Sequence, residues 1–222
     1  MLVVDVGNSR THVGRVLGGD LEESAILGND EPAGIVDRIL TWWTRLPEDA
    51  PRAVLVASVN DTLADRLASM LNDQLPDEIY RVGDDLPVPI AEDLDPETIT
   101  GIDRLLNAAA AYNTVKQACV VVDAGTAVTV DFIDGAGTFH GGAIAPGAKM
   151  QLRALHEFTD SLPDIEFAGP PRADYGKSTS EAMLQGVYHG IRGLVRRLVE
   201  QYAEAYGAFP MVIVTGGDAQ QL

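Results

Sequence analysis

The chain has 222 residues, 16 of them basic and 33 acidic, for a formal net charge of −17. So acidic a surface repels a phosphate backbone, which excludes a nucleic-acid or anionic-membrane binder. Hydrophobic residues make up 46% of the chain and arrive in periodic blocks, enough for two small domains and too many for a disordered chain.

Leu2–Val6 reads as a strand entering the turn Asp5-Val6-Gly7-Asn8-Ser9, with Thr11–Leu17 as a hairpin partner. Ile35–Leu46 has helical periodicity and stops at Pro47. Ala53–Val59 is a β-branched run, Ala64–Leu75 a helix and Ile79–Val82 a short strand. Residues 83–100 are rich in Pro and Asp without periodicity, and are read as a loop between halves. A helix is expected from Gly101 to Lys116.

The pattern then restarts. Val3-Val4-Asp5-Val6-Gly7 is echoed by Val121-Val122-Asp123-Ala124-Gly125, each followed by small polar residues and a second β-branched run. In the second half that run is Val128–Ile133, with a third strand at Thr138–Ile144. A shared strand–turn–strand context points to duplicated α/β domains rather than two unrelated Asp-x-Gly turns. Further along come a helix at Lys149–Leu155, a polar excursion from Asp160 to Asp174 and a long helix from Thr179 to Tyr206. The row Ala182, Gly186, Gly190 on that helix predicts close approach by a neighbour. Met211–Val214 is a strand ending in Thr215-Gly216-Gly217.

No apolar run approaches the ~18 residues of a membrane helix, and Asp5 interrupts the first one, so a soluble, cytoplasmic protein is expected. The single cysteine, Cys119, excludes an internal disulfide and a thiolate metal cluster; its apolar setting predicts a buried thiol. The four histidines have no metal spacing. Gly176-Lys177-Ser178 resembles the end of a Walker A loop, but Pro171 stands where that loop needs Gly, and no strand precedes it.

Three strands thus end in glycine-rich turns, whose backbone N–H groups can face an anion. Ligands of α/β sheets bind beyond the carboxyl ends of strands. An Asp in such a turn repels phosphate unless a cation lies between them, so the pattern predicts a nucleotide and a divalent metal. Asp103, at the start of a helix between the halves, is the candidate for proton chemistry. Arg104 beside it is suited to holding a carboxylate.

Six motifs in order carry a resemblance. They are Asp5-x-Gly-Asn-Ser, Gly101-x-Asp-Arg-Leu-x-Asn, Asp123-x-Gly-Thr-Ala, Gly141-Gly-x-Ile-x-Pro-Gly147, Ser178-Thr-Ser-Glu-Ala-Met183 and Thr215-Gly-Gly-Asp-Ala219. Together they resemble the type III pantothenate kinase family. The resemblance implies an α/β fold of two duplicated ribonuclease-H-like domains, as in the actin-like ATPase superfamily, with the active site in the interdomain cleft. The expected division is 1–100 for the first domain, 101–117 for an interdomain helix and 118–222 for the second domain. It further implies ATP-dependent phosphorylation of pantothenate, the first step of coenzyme A synthesis, with Mg²⁺, a monovalent cation (K⁺ or NH₄⁺) and a homodimer.

Carried across by position, the resemblance gives Asp5, Val6, Gly7, Asn8, Ser9 and Arg10 the first phosphate loop, with Asp5 meeting Mg²⁺–ATP. It gives Asp123 the monovalent cation, Thr126 the ATP phosphates, and Gly216 and Gly217 the adenosine side. Gly101, Ile102, Asp103, Arg104 and Thr179 bind pantothenate, with Asp103 as general base. The chain departs from the pattern at Leu94, where the family often has Tyr, and at Ser178, where it has Asn. The family also continues past the last motif, so the second domain is expected to lack its final helix and strand. Two other readings are a non-catalytic accessory protein of the same fold, and a superfamily kinase or phosphatase with another acceptor, which Leu94 encourages. A composition with 21 Asp and only three Lys suits work at high ionic strength, where charges are screened.

Overall fold

Leu2, Val4 and Val6 are buried while Asp5 is exposed, so the first apolar run forms a strand that presents its acid at the surface. This is β1 (Leu2–Val6) of a computed structural model that describes residues 1–75 and 79–222. The chain divides into two units. Unit 1 comprises Met1–Pro89 and Thr100–Asp103, and unit 2 comprises Ile90–Ile99 and Arg104–Leu222.

Unit 1 adds β2 (Arg10–Leu17), β3 (Asp20–Gly28), α1 (Pro32–Trp43), β4 (Val54–Ser58), α2 (Asp61–Asn72) and β5 (Ile79–Arg81). Its sheet runs β3-β2-β1-β4-β5, with β1, β2 and β3 antiparallel and β4 and β5 parallel to β1. Ile35, Ile39, Trp42 and Trp43 of α1 and Leu63, Leu67 and Leu71 of α2 share one core with β1 and β4. Each fully buried aliphatic side chain there contributes about 1.5–3 kcal/mol. Both helices begin three residues before their expected starts. α1 begins with Pro32, whose missing N–H costs nothing in a first turn. α2 is capped by Asn60, whose side chain accepts from the Leu63 N–H at 3.2 Å.

Unit 2 contains β6 (Ala91–Glu92), α3 (Ile102–Val115) from Arg104 onward, β7 (Cys119–Ala124), β8 (Ala127–Ile133) and β9 (Thr138–Pro146). These are followed by α4 (Ala148–Glu157), α5 (Thr179–Tyr206) and β10 (Met211–Thr215). The sheet runs β10-β7-β8-β9-β6, with β8 antiparallel to both neighbours and β10 parallel to β7. The order β9-β8-β7-β10 repeats β3-β2-β1-β4, so the duplication read from the two Asp-x-Gly turns is a duplication of sheets. The additions differ: β5 lies beyond β4 in unit 1, and β6 beyond β9 in unit 2.

Cys119 is buried, as its apolar setting predicts. Met183, Val187 and Ile191 of α5 pack with Ala148 and Leu152 of α4. The small-residue row is not packed in this way. A Cβ placed at Gly186 or Gly190 meets nothing within 4 Å, because α4 rests on the neighbouring Met183–Val187–Ile191 row. α5 opens with a full capping box: Ser178 Oγ accepts from the Glu181 N–H, and Glu181 Oε2 accepts from the Lys177 and Ser178 N–H groups. Gly176-Lys177-Ser178 is therefore a helix cap with no phosphate loop. Among the described residues no helix is long and apolar enough to cross a membrane.

Candidate functional site

In unit 1 the turn after β1 is built by its own backbone and one distant side chain. The Gly7 N–H donates to Arg10 O at 3.0 Å, and a Cβ at Gly7 would stand 3.0 Å from that oxygen. Asn29, just past β3, donates from Nδ2 to Gly7 O at 2.8 Å and accepts from the buried Thr11 hydroxyl at 2.8 Å. Thr11 and Asn29 thus fix a turn whose Asn8, Ser9 and Arg10 remain exposed. Asn29 was not predicted, because nothing local marks a residue 22 positions from its partner as part of this turn.

Asp5 sits at the end of β1, opposite His12 of β2. Its carboxyl is raised above the ordinary value of 3.8, first by partial removal from water; His12 draws it down and Asp103 pushes it up. The two predicted acids of unit 1 therefore feel each other. Asp103 lies in the first turn of α3, half-buried, and its Oδ1 is 2.6 Å from where a Cβ of Gly101 would stand. Glycine at 101 leaves room for that carboxylate. Ile102 reaches back over Gly83, whose φ is +103°.

Unit 2 gathers Asp123, Gly125, Thr126, Gly147 and Gly216 at the carboxyl ends of β7 and β10. The Gly125 N–H donates to Ala127 O at 2.9 Å, the counterpart of the Gly7–Arg10 bond in a turn one residue shorter. The Gly147 N–H donates to Thr126 O at 3.0 Å, and the Asp218 N–H to Ala124 O at 2.9 Å. Gly216 has φ +98°, and a Cβ there would stand 2.3 Å from Ala124 O and 2.5 Å from Asp123 Oδ1. Only glycine lets these turns close on one another. Asp123 Oδ2 accepts from Asn107 Nδ2 of α3 at 2.8 Å. Buried Asp218 lies 3.8 Å from Lys149 Nζ. Sequence alone marks no role for Asn107, Lys149 or Asp218, although Asn107 and Asp218 stand inside the six motifs.

Arg104 is held in unit 2 by a residue that was also missed. Its Nε donates to both carboxylate oxygens of Asp131 at 3.1 Å, Nη2 donates to Oδ1, and the guanidinium lies 5.5 Å from the Phe139 ring centroid. Asp131 is 2% exposed on β8. An acid inside the run Val128–Ile133 was the available signal, since a buried carboxylate needs a cationic partner. Thr179 is the first residue of α5 and lines an apolar groove with Pro146, Met150 and Met183. Pro146 precedes the Gly147 that joins the Thr126 turn, so Thr179 and that turn border the same stretch of unit 2.

Comparison with known proteins bears on the family and the fold. The family model of type III pantothenate kinase matches residues 1–201. A type III pantothenate kinase from Rhodospirillum rubrum is 34% identical over 98% of this chain and 86% of its own. One from Frankia alni is 34% identical over 98% of this chain and 87% of its own. Among solved structures, a Baf family protein from Campylobacter jejuni superposes with a TM-score of 0.63 at 23% identity, over 100% of this chain and 86% of its own. Component A of (R)-2-hydroxyglutaryl-CoA dehydratase from Acidaminococcus fermentans gives 0.52 at 15% identity, over 100% and 84%. These likenesses establish the actin-like ATPase fold that the resemblance implies, in keeping with the duplicated sheets. With the sequence matched almost from end to end, the chain belongs to the type III pantothenate kinase family.

Proposed function

We propose that this chain transfers the γ-phosphoryl group of ATP to the primary hydroxyl of pantothenate, opening coenzyme A synthesis. Family membership supports the reaction. The placing of Asp103 over Gly101, in the same unit as Asp5 and within reach of its charge, carries the assignment of roles. Phosphoryl transfer asks a protein mainly for alignment and neutralised charge. Asp103 accepts the hydroxyl proton as the nucleophilic oxygen commits, a role a weak carboxylate base fills in a loose transition state.

The residues present fit the expected cations. Asp5, at the end of β1 and within the field of the Asp103 charge, suits a divalent ion arriving with phosphate oxygens. Among the described residues no cluster of three or more His, Cys, Asp or Glu could hold a metal. Asp123, set among the backbone carbonyls of the Gly125 turn, offers the hard oxygens that a monovalent cation takes. When bound, these ions screen the phosphate charge. The turn of residues 6–10, Thr126, and Gly216–Gly217 then orient the nucleotide, while Gly101, Ile102, Arg104 and Thr179 orient pantothenate.

The groove between α4 and α5 supports a homodimer, since Met150 is 44% and Phe158 85% exposed along it. Incubation with ATP, Mg²⁺ and K⁺, with and without pantothenate, tests the whole reading. ADP release that depends on pantothenate is expected, and its absence overturns the assignment.

A further inference from the structure

Within unit 2 the Arg104 guanidinium is fixed on two sides. The Asp131 carboxylate takes Nε and Nη2 along one edge, and the Phe139 ring covers a face. Both partners are buried: Asp131 is 2% and Phe139 0% exposed. Room for the carboxylate is made by Gly142, opposite Asp131 across the β8–β9 ladder, where a Cβ would stand 2.6 Å from Asp131 Oδ1. Tyr202 closes the neighbourhood. Its hydroxyl donates to Val130 O at 3.3 Å and is pushed up first by burial and then by the Asp131 charge.

An ion pair of this kind is a poor source of net stability, because desolvating both charges offsets most of their attraction. What it supplies is a single orientation for a planar fork. Arg104 directly follows Asp103, the proposed base, so its plane and reach are fixed by a strand that carries no residue assigned to substrate. We propose that Asp131 is a positioning residue for pantothenate recognition: it holds Arg104 in the orientation that receives the substrate's carboxylate. This rests on the reading of Arg104 as a pantothenate-binding residue.

The test compares pantothenate with pantothenol, in which a hydroxymethyl group replaces the carboxylate. Wild-type enzyme is expected to favour pantothenate in kcat/KM, and a wild type indifferent to the carboxylate overturns the underlying assignment of Arg104. In Asp131→Asn the ratio of the two kcat/KM values should fall about tenfold, through KM for pantothenate, with KM for ATP unmoved. Because both substrates are assayed on one preparation, the ratio does not depend on the fraction of enzyme that folds. A wild-type preference that survives intact in Asp131→Asn overturns the positioning role and leaves Arg104 untouched. If Asp131→Asn yields no folded protein, Arg104→Lys keeps the positive charge and removes the planar fork that Asp131 holds. It should lower the same ratio about two- to threefold or more, and an unchanged ratio shows that no fixed fork is needed and overturns the proposal.

Discussion

Asn107 Nδ2 donates to Asp123 Oδ2 at 2.8 Å, tying the second turn of α3 to the carboxyl end of β7. The bond fixes which carboxylate oxygen faces the Gly125 turn. If Asp123 holds the monovalent cation, Asn107 sets the orientation of its ligand, and loss of such a support typically costs about tenfold or more in metal affinity. Asn107→Ala is expected to raise the K⁺ concentration for half-maximal activity by about that factor. A K⁺ titration that superposes on the wild type would remove Asp123 from the cation's coordination.

Asp103→Asn keeps the shape of the side chain and loses the proton acceptor. Turnover should drop by about 10²–10⁴-fold while ATP binding, followed calorimetrically, stays close to wild type. Retention of full turnover means that the hydroxyl proton leaves by another route.

Asp5 illustrates a functional group that works against stability. Its carboxyl is raised above 3.8 in the folded protein, so the native state binds its proton more readily than the unfolded chain does. The charged form is disfavoured on folding. Stability is therefore fully present in acid and is lost as pH rises through the shifted value. Asp5→Asn is expected to raise Tm near neutral pH, with the gain vanishing as pH falls below 3.8, while phosphoryl transfer is lost. A Tm that does not respond, or responds most strongly in acid, contradicts this sign.

Gly216→Ala tests the closure of the turns in unit 2. With φ at +98° and Ala124 O 2.3 Å from the new methyl, the backbone has to shift. The substitution should destabilise by about 1–3 kcal/mol in denaturant unfolding and raise KM for ATP more than KM for pantothenate. Equal effects on both substrates would detach Gly216 from the nucleotide.

Ser178→Ala removes one half of the capping box on α5. A loss of about 0.5–2 kcal/mol is expected from thermal or chemical unfolding. Ser178→Asn should recover most of it, because Asn caps equally well. This is also why Ser stands without structural penalty where the family has Asn.

The elements with clean periodicity were legible. α5 runs from Thr179 to Tyr206 as its apolar ladder and Ser cap dictate, and β1 and β7 end at the two Asp-x-Gly turns. β3 was not read, because Asp20–Gly28 is an edge strand whose polar and apolar residues face a largely exposed surface. Its signal was the Gly18-Gly19 pair, with φ of +62° and +97°, a glycine turn of the kind that joins hairpin strands. β6 is two residues long inside a stretch read as loop, too short for any period. At the site, the turn residues were visible because each turn is local. Asn29, Asp131 and Asn107 were not, since each meets its partner only after the sheet or α3 has brought distant positions together.

β6 lies ahead of α3 in the chain, yet Ala91 and Glu92 pair with Thr138 and Phe139 of β9, and the Asp93 N–H donates to Phe139 O at 2.9 Å. The border of unit 2 is thus supplied by residues synthesised before most of that unit exists. As the chain leaves the ribosome, residues 90–99 stay unpaired until β9 has emerged, and only then is the Thr138–Phe139 end of β9's outer row of backbone groups covered. A polypeptide starting at Arg104 begins life with that row open and prone to pair with a stranger. Supplying residues 90–99 in trans as a short peptide is then a form of strand complementation. Unit 2 is thus edged by a piece of chain laid down before the strand it borders.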